Sequence, residues 1–204
     1  MSARGRLITL EGVDGAGKSS HLQFVADTVA AQGHRVIVSR EPGGTELAEK
    51  LRKAILEDAM DPLAETLLLF AARTDHVRRV IAPALESGSW VVCDRFSDAT
   101  AAYQGAGKGV PQDLIERLAA AAHPRLQPDL TLLFDCSYEV ARKRLADSGK
   151  ALDRFEREDR GFFERVRNAY LARAKAEPER IRVLDAAGDV EGIRLDLARH
   201  LAAR

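Results

Sequence analysis

Short apolar runs punctuate this chain, and between them apolar residues recur every three or four positions. The runs are Arg6-Leu7-Ile8-Thr9-Leu10-Glu11, then residues 34–40 around Val36-Ile37-Val38, then 90–94, 130–135 and 181–185. Each is short and bounded by polar or turn residues, so each reads as a strand buried in a parallel sheet. The intervening periodicity predicts helices over about 17–32, 45–58, 62–87, 111–122, 137–147, 156–176 and 189–203. Pro62 and Pro111 stand where a helix can start, because proline's fixed φ suits the first turn. Strand alternating with helix predicts an α/β fold, a parallel sheet covered on both faces. Ligands bind outside the carboxyl ends of such strands. That rule singles out Glu11-Gly12, Arg40-Glu41, Asp94-Arg95, Asp135 and Asp185.

Composition narrows the function classes. At 204 residues the chain suits one domain, 1–204, with a sizeable core and neither repeats nor a long linker. Lys plus Arg is 31 and Asp plus Glu is 31. That balance argues against a nucleic-acid partner, whose footprint is a basic excess. Cys93 and Cys136 sit far apart in apolar runs, the pattern of free core thiols in a reducing compartment. No run reaches the roughly 18 apolar residues of a membrane span, and the first residues lack a signal-peptide core. A soluble cytoplasmic protein with no membrane partner is expected. Residues 147–156 interrupt two charged helices and read as a mobile lid.

The most specific signal follows the first strand. Gly12-Val13-Asp14-Gly15-Ala16-Gly17-Lys18-Ser19 fits G-x-x-x-x-G-K-[ST] at every fixed position, with Ser20 opening the helix behind it. Its glycines let backbone N–H groups curl around a phosphate, and the helix terminus favours negative charge. Gly12 through Ser20 are therefore the candidate ATP-binding residues, with Lys18 on the β- and γ-phosphates and Ser19 on Mg²⁺. The fold class becomes a three-layer P-loop NTPase fold.

Other strand ends supply candidate partners. Asp94 can hold Mg²⁺, directly or through water, and Arg95 beside it can clamp a phosphoryl group. Pro42 drives Glu41 towards an extended shape, and Gly43-Gly44 allow close backbone approach to a ligand. Arg52 faces the same region if its helix points inward. Arg73 shares a helix face with Phe70 and Leu69, which offers a guanidinium beside an aromatic plane for a base; the alternative for Phe70 is a place in the core. Thr100, Tyr103 and Gln104 bring hydroxyl and amide groups to read a sugar and base.

Taken together, the ordered set Glu11–Ser19, Arg40-Glu41-Pro42-Gly43-Gly44-Thr45, Phe70-Ala71-Ala72-Arg73, Asp94-Arg95-Phe96, Ala102-Tyr103-Gln104-Gly105, Pro128-Asp129-Leu130-Thr131 and Leu152-Asp153-Arg154-Phe155-Glu156 resembles the bacterial thymidylate kinases over nearly the whole chain. The resemblance implies ATP-dependent phosphorylation of dTMP to dTDP with Mg²⁺, a five-stranded parallel sheet and a homodimer. It implies that Asp14 meets the deoxyribose 3′-hydroxyl, Arg52 and Arg95 the dTMP phosphate, Arg73 the thymine carbonyl, and Tyr103 and Gln104 the sugar and base. The chain departs from the family pattern at three places. Phe70 lies three residues before Arg73, with Leu69 in the four-residue slot, so either can be the stacking residue; Phe70 is the expected one. Ala99 stands where many relatives have serine, so one polar contact is either missing or moved to Thr100. Gly15 leaves the loop without an arginine, so the lid cations Arg154 and Lys150 become the candidates for transition-state charge, Arg154 ahead for its planar fork.

Two rivals remain. One is a kinase for another nucleoside monophosphate on the same fold. The other is a guanine-nucleotide switch, which needs an N-K-x-D element; the single asparagine, Asn168, lies in a helical stretch and is not followed by lysine.

Overall fold

Five parallel strands form one sheet in the order β2-β3-β1-β4-β5, where β1 is Leu7–Gly12, β2 Val36–Arg40, β3 Trp90–Asp94, β4 Leu130–Asp135 and β5 Ile181–Asp185. The computed structural model describes residues 4–149 and 151–202. Alternation along the central strands divides the core into two layers. Ile8, Leu10 and Val92 pack with α1 (Lys18–Ala31), α8 (Arg160–Ala176) and α9 (Val190–Ala202) on one face. Leu7, Val91 and Cys93 pack with Val77, Ile81 and Leu85 on the other. The expected α/β architecture is present, with strand bounds within two residues of the predicted ones. The edge strands depart from full burial, as Val38 on β2 and Val183 on β5 are each more than 40% exposed.

The helices start on capping residues. Thr45 accepts from the Ala48 amide at the head of α2 (Glu46–Glu57), and Asp61 caps α3 (Pro62–His76), with Pro62 in its first turn. The helix expected over 62–87 is interrupted: a π-helical turn, Val77–Ile81, leads into α4 (Ala82–Glu86). Pro83 explains it, since proline has no N–H for an α-helical bond and its ring crowds the carbonyl four residues back. A second π-helical segment, Ala101–Gly107, continues α5 (Ser97–Thr100), and neither was expected. The run Ala101-Ala102 … Gly105-Ala106-Gly107 has too few large side chains for a legible period. Two more helices, α6 (Gln112–Ala122) and α7 (Tyr138–Asp147), fall where predicted. Cys93 and Cys136 are free and buried, with burial raising both thiols.

Candidate active site

The sheet register brings the candidate residues to one edge. Asp94 pairs with Leu10 on one side and Arg40 on the other, so Glu11, Arg95 and Glu41 follow side by side. The Arg95 amide donates to the Leu10 carbonyl, and the Glu41 amide to that of Asp94, each at 2.9 Å. Beyond this edge lies a cleft open to solvent, lined among others by Asp14, Glu41, Arg52, Leu69, Arg73, Arg95, Thr100, Tyr103 and Gln104.

Arg95 is the hub of its phosphate-loop end. Its backbone is left-handed, φ 69°, an uncommon conformation for a long side chain. Its Nη1 donates to the Gly12 carbonyl (2.9 Å) and the Tyr170 hydroxyl (3.2 Å). Its Nη2 donates to Asp14 Oδ1 and the Tyr103 hydroxyl, while Tyr103 donates to Asp14 Oδ2 at 2.8 Å. Burial by itself would raise the Asp14 carboxyl, but Arg95 and Lys18 outweigh it and hold it below its ordinary value. A carboxylate inside an anion-binding loop therefore has a cationic partner, a pairing that the sequence did not disclose. Arg52 reaches inward from α2 and donates to the Pro42 carbonyl at 2.9 Å.

Arg73 is 2% exposed and held on three sides. Its Nε donates to Glu41 Oε2 at 2.6 Å, and its Nη2 donates to the Phe96 carbonyl and Thr100 Oγ1, both at 3.1 Å. Glu41 also meets His76 Nδ1 at 3.0 Å, and His76 Nε2 meets Ser39 Oγ at 2.7 Å. Burial pushes the Glu41 carboxyl up, yet Arg73 and His76 bring it below its usual value. Among the described residues, Arg73 Nη1 is buried without a hydrogen-bond partner. The guanidinium lies 4.9 Å from the Phe70 ring centroid and 5.2 Å from that of Phe96.

The two candidate stacking residues are placed differently. Leu69 lines the cavity, whereas Phe70 packs with Val110, Ile115 and Ala122. Successive helix residues diverge by about 100°, so Leu69 reaches the cavity while the Phe70 ring lies against the Arg73 guanidinium. Gln104 also lines the cavity, its amide donating to the buried Glu65 at 2.6 Å.

In the loop, Gly15 (φ +79°) and Gly17 (φ +98°) take conformations that favour glycine, and a Cβ on Gly15 would lie 2.4 Å from the Ala141 carbonyl oxygen. Lys18 folds over the loop and donates to the Gly12 and Val13 carbonyls, each at 2.9 Å. Burial and the Arg95 charge lower it to about 8. Ser19 and Ser20 are exposed at the head of α1. Among the described residues, Asp94 Oδ1 is buried and unpartnered.

From the segment expected as a lid, Asp153 and Phe155 line the cavity. Asp153 Oδ1 accepts the Phe155 and Glu156 amides at 2.9 and 3.0 Å, a turn that fixes the segment. Arg154, the expected lid cation, is engaged by protein groups in this arrangement. It donates to the Ile55 carbonyl at 2.6 Å and to Glu65, and stacks over Phe155 at 4.5 Å, so it ties the lid to α2 and α3. The reason is Glu65, a fully buried carboxylate that requires cations and receives both Arg154 and Lys108. Lys150 lies outside the described residues. The loop is instead approached by Arg144, whose Nη1 donates to the Ala16 carbonyl at 3.3 Å, while Arg142 donates to the Glu156 carbonyl at 2.7 Å. Sequence reasoning passed over Glu65, whose signal was a lone carboxylate within an apolar helical run, and Phe155, an aromatic within a charged segment.

Comparison with known proteins agrees with this geometry. The family model described as thymidylate kinase matches residues 10–196. The chain is 54% identical to the thymidylate kinase of Bordetella petrii over 203 residues, covering 100% of this chain and 98% of that one. It is 52% identical to that of Methylobacillus flagellatus, covering 98% and 100%. The crystal structure of thymidylate kinase from Ehrlichia chaffeensis superposes with a TM-score of 0.80 at 31% identity, over 98% of this chain and 99% of that one. A phosphate loop facing an arginine-lined cavity, within a sequence matched end to end by these enzymes, places the chain in the thymidylate kinase family, phosphotransferases that convert dTMP to dTDP.

Proposed function

We propose that ATP binds on the loop Gly12–Ser20 and dTMP in the adjacent cavity, with its phosphate between Arg52 and Arg95. The observation that carries this reading is the cavity's charge layout. Two arginines from separate elements line the cavity, and a third, Arg73, has its buried Nη1 without a partner among the described residues. Arg73 Nη1 is the donor for a thymine carbonyl, Leu69 the apolar wall, and Thr100, Tyr103 and Gln104 the polar surround. Asp14 and Tyr103 accept and donate around the 3′-hydroxyl.

Transfer joins an acceptor phosphate oxygen to the γ-phosphorus as the bond to the β–γ bridging oxygen breaks, so the protein's task is alignment and charge. Lys18 exchanges its two carbonyl bonds for phosphate oxygens, and their negative charge restores the full ammonium. Mg²⁺ fits here: Asp94 has a buried oxygen without a partner among the described residues, Ser19 offers an exposed hydroxyl, and this ion takes few protein ligands beside phosphates. When bound, it would neutralise phosphate charge. Arg142 and Arg144 are the described cations nearest to supplying what Arg154 does not.

A cytoplasmic homodimer is part of the same reading. Its support is the exposed Leu63 and Leu67 on one face of α3, together with the exposed Leu47 of α2, the helix that packs on α3. No helix among the described residues is long and apolar enough to cross a membrane.

The test is a panel of nucleoside monophosphates with coupled ADP detection. Turnover dominated by dTMP is expected; a clear preference for another monophosphate would overturn the assignment of the cavity to thymine.

A further inference from the structure

Glu11 is the last residue but one of β1, directly before the phosphate loop; it is fully buried and does not line the cavity that Asp14 and Arg95 share. Its two oxygens hold the segment that carries Arg95. Oε1 accepts the Phe96 amide at 2.7 Å, and Oε2 accepts the Tyr170 hydroxyl at 2.8 Å. The Tyr170 oxygen in turn accepts Arg95 Nη1 at 3.2 Å.

Resting on the assignment of Arg95 to the acceptor phosphate, we propose that Glu11 and Tyr170 form a positioning relay. It locks the left-handed backbone at Arg95 through the Phe96 amide and the guanidinium through the tyrosine hydroxyl.

The chemistry of the carboxylate explains why a glutamate serves here. An ionised carboxylate can only accept, so the Tyr170 proton must point to Glu11, which leaves the hydroxyl's lone pairs for Arg95. A glutamine would satisfy the Phe96 amide, but its NH₂ would donate to Tyr170, so the tyrosine proton would lose its acceptor and the hydroxyl oxygen would face a second donor beside Arg95. Keeping the carboxylate is costly. Burial and the neighbouring Asp98 raise it to about 7, against the opposing pull of Arg95 and the hydrogen bonds from Tyr170 and Phe96. Asp98 is itself engaged by Arg173 and Arg180, so it offers Glu11 no relief. Arg95 Nη2 is fixed separately by Asp14 and Tyr103, so the relay governs the Nη1 edge and the backbone.

Glu11→Gln and Tyr170→Phe test this against Arg95→Ala, with thermal stability, ATP affinity and dTMP kinetics measured on each. Both relay variants should lose about tenfold or more in kcat/KM for dTMP, the scale expected of a small misplacement of a clamping group, with ATP affinity unchanged. Glu11→Gln should at the same time melt higher than wild type at pH 8, because a buried charge is gone. Greater stability with less activity is an outcome that a purely structural role does not produce. If Tyr170→Phe fails to fold, Glu11→Gln carries the test by itself. Wild-type kcat/KM in Glu11→Gln, with dTMP binding lost in Arg95→Ala, would overturn the relay alone. Intact dTMP binding in Arg95→Ala would overturn the assignment of Arg95 and the relay with it.

Discussion

Lys18, Leu69 and Glu11 each make a claim that a single substitution checks. Lys18→Ala should leave a folded protein whose turnover falls at least about a hundredfold, the cost of losing a preorganised transition-state charge. Steady-state rates beside a circular dichroism spectrum decide it. At the base site, Leu69→Ala and Phe70→Ala should separate. Phe70 lies in the cluster with Val110 and Ile115 and under Arg73, so its loss should cost roughly 3–5 kcal/mol of stability. Leu69→Ala should weaken dTMP binding out of proportion to its smaller loss of stability, as calorimetry and thermal melts would show. An affinity loss confined to Phe70→Ala would return the stacking role to the aromatic.

Glu11 carries a pH signature of its own. Its folded value of about 7 lies above its ordinary 4.5. A carboxyl raised in this way contributes its full stability below about 4.5 and loses it as pH rises through 7. The shift corresponds to roughly 3 kcal/mol. The melting difference between Glu11→Gln and wild type should therefore grow from pH 5 to pH 8 in favour of the variant; a difference independent of pH would contradict it.

At the scale of elements, the segment expected as a lid is a turn pinned by Arg154 on one side and by Arg142, through the Glu156 carbonyl, on the other. Arg154 joins it to Glu65 on α3 and to the last turns of α2, and Phe155 closes over Tyr103 edge-on at 5.9 Å. Arg154→Ala should release the segment, leaving Glu65 with Lys108 and Gln104. Faster amide exchange across 151–157 and a higher KM for dTMP are expected, with the charge on the transferred group still met by other cations. Unchanged exchange together with a collapse of kcat would restore Arg154 to the chemistry. The two π-helical segments belong to this scale too. One absorbs Pro83 within a long helix, and the other carries Tyr103 and Gln104 to the cavity wall.

For the whole molecule, a preformed cavity beside a preformed loop predicts ligand-linked stability. dTMP at a hundred times its Kd should stabilise the fold by about 2.7 kcal/mol, a melting shift of roughly 5–10 °C for a chain of this size. A nucleoside monophosphate that binds neither the cavity nor the loop should produce no shift. The oligomer is read at the same scale: Leu67→Asp on α3 should convert a dimer to monomers by light scattering, and a monomeric wild type would remove that part of the reading.

What the sequence determined by itself was whatever depends on local periodicity and on short contiguous motifs. Strand and helix order, the phosphate loop and the set of residues at strand ends were legible because each is encoded within a few neighbouring positions. The half-exposed edges of the sheet were not, since an edge is a property of strand order rather than of any one strand. Nor was the choice between Leu69 and Phe70, which depends on how α3 is rotated against α6 and the cavity. Glu65 decided the fate of Arg154 from 89 positions away, and Tyr170 reached Glu11 and Arg95 across 159 and 75 positions. Buried charges seek partners wherever the chain brings them, because an unpaired charge in the interior costs more than any local preference supplies. Only the tertiary structure says which cation each one finds.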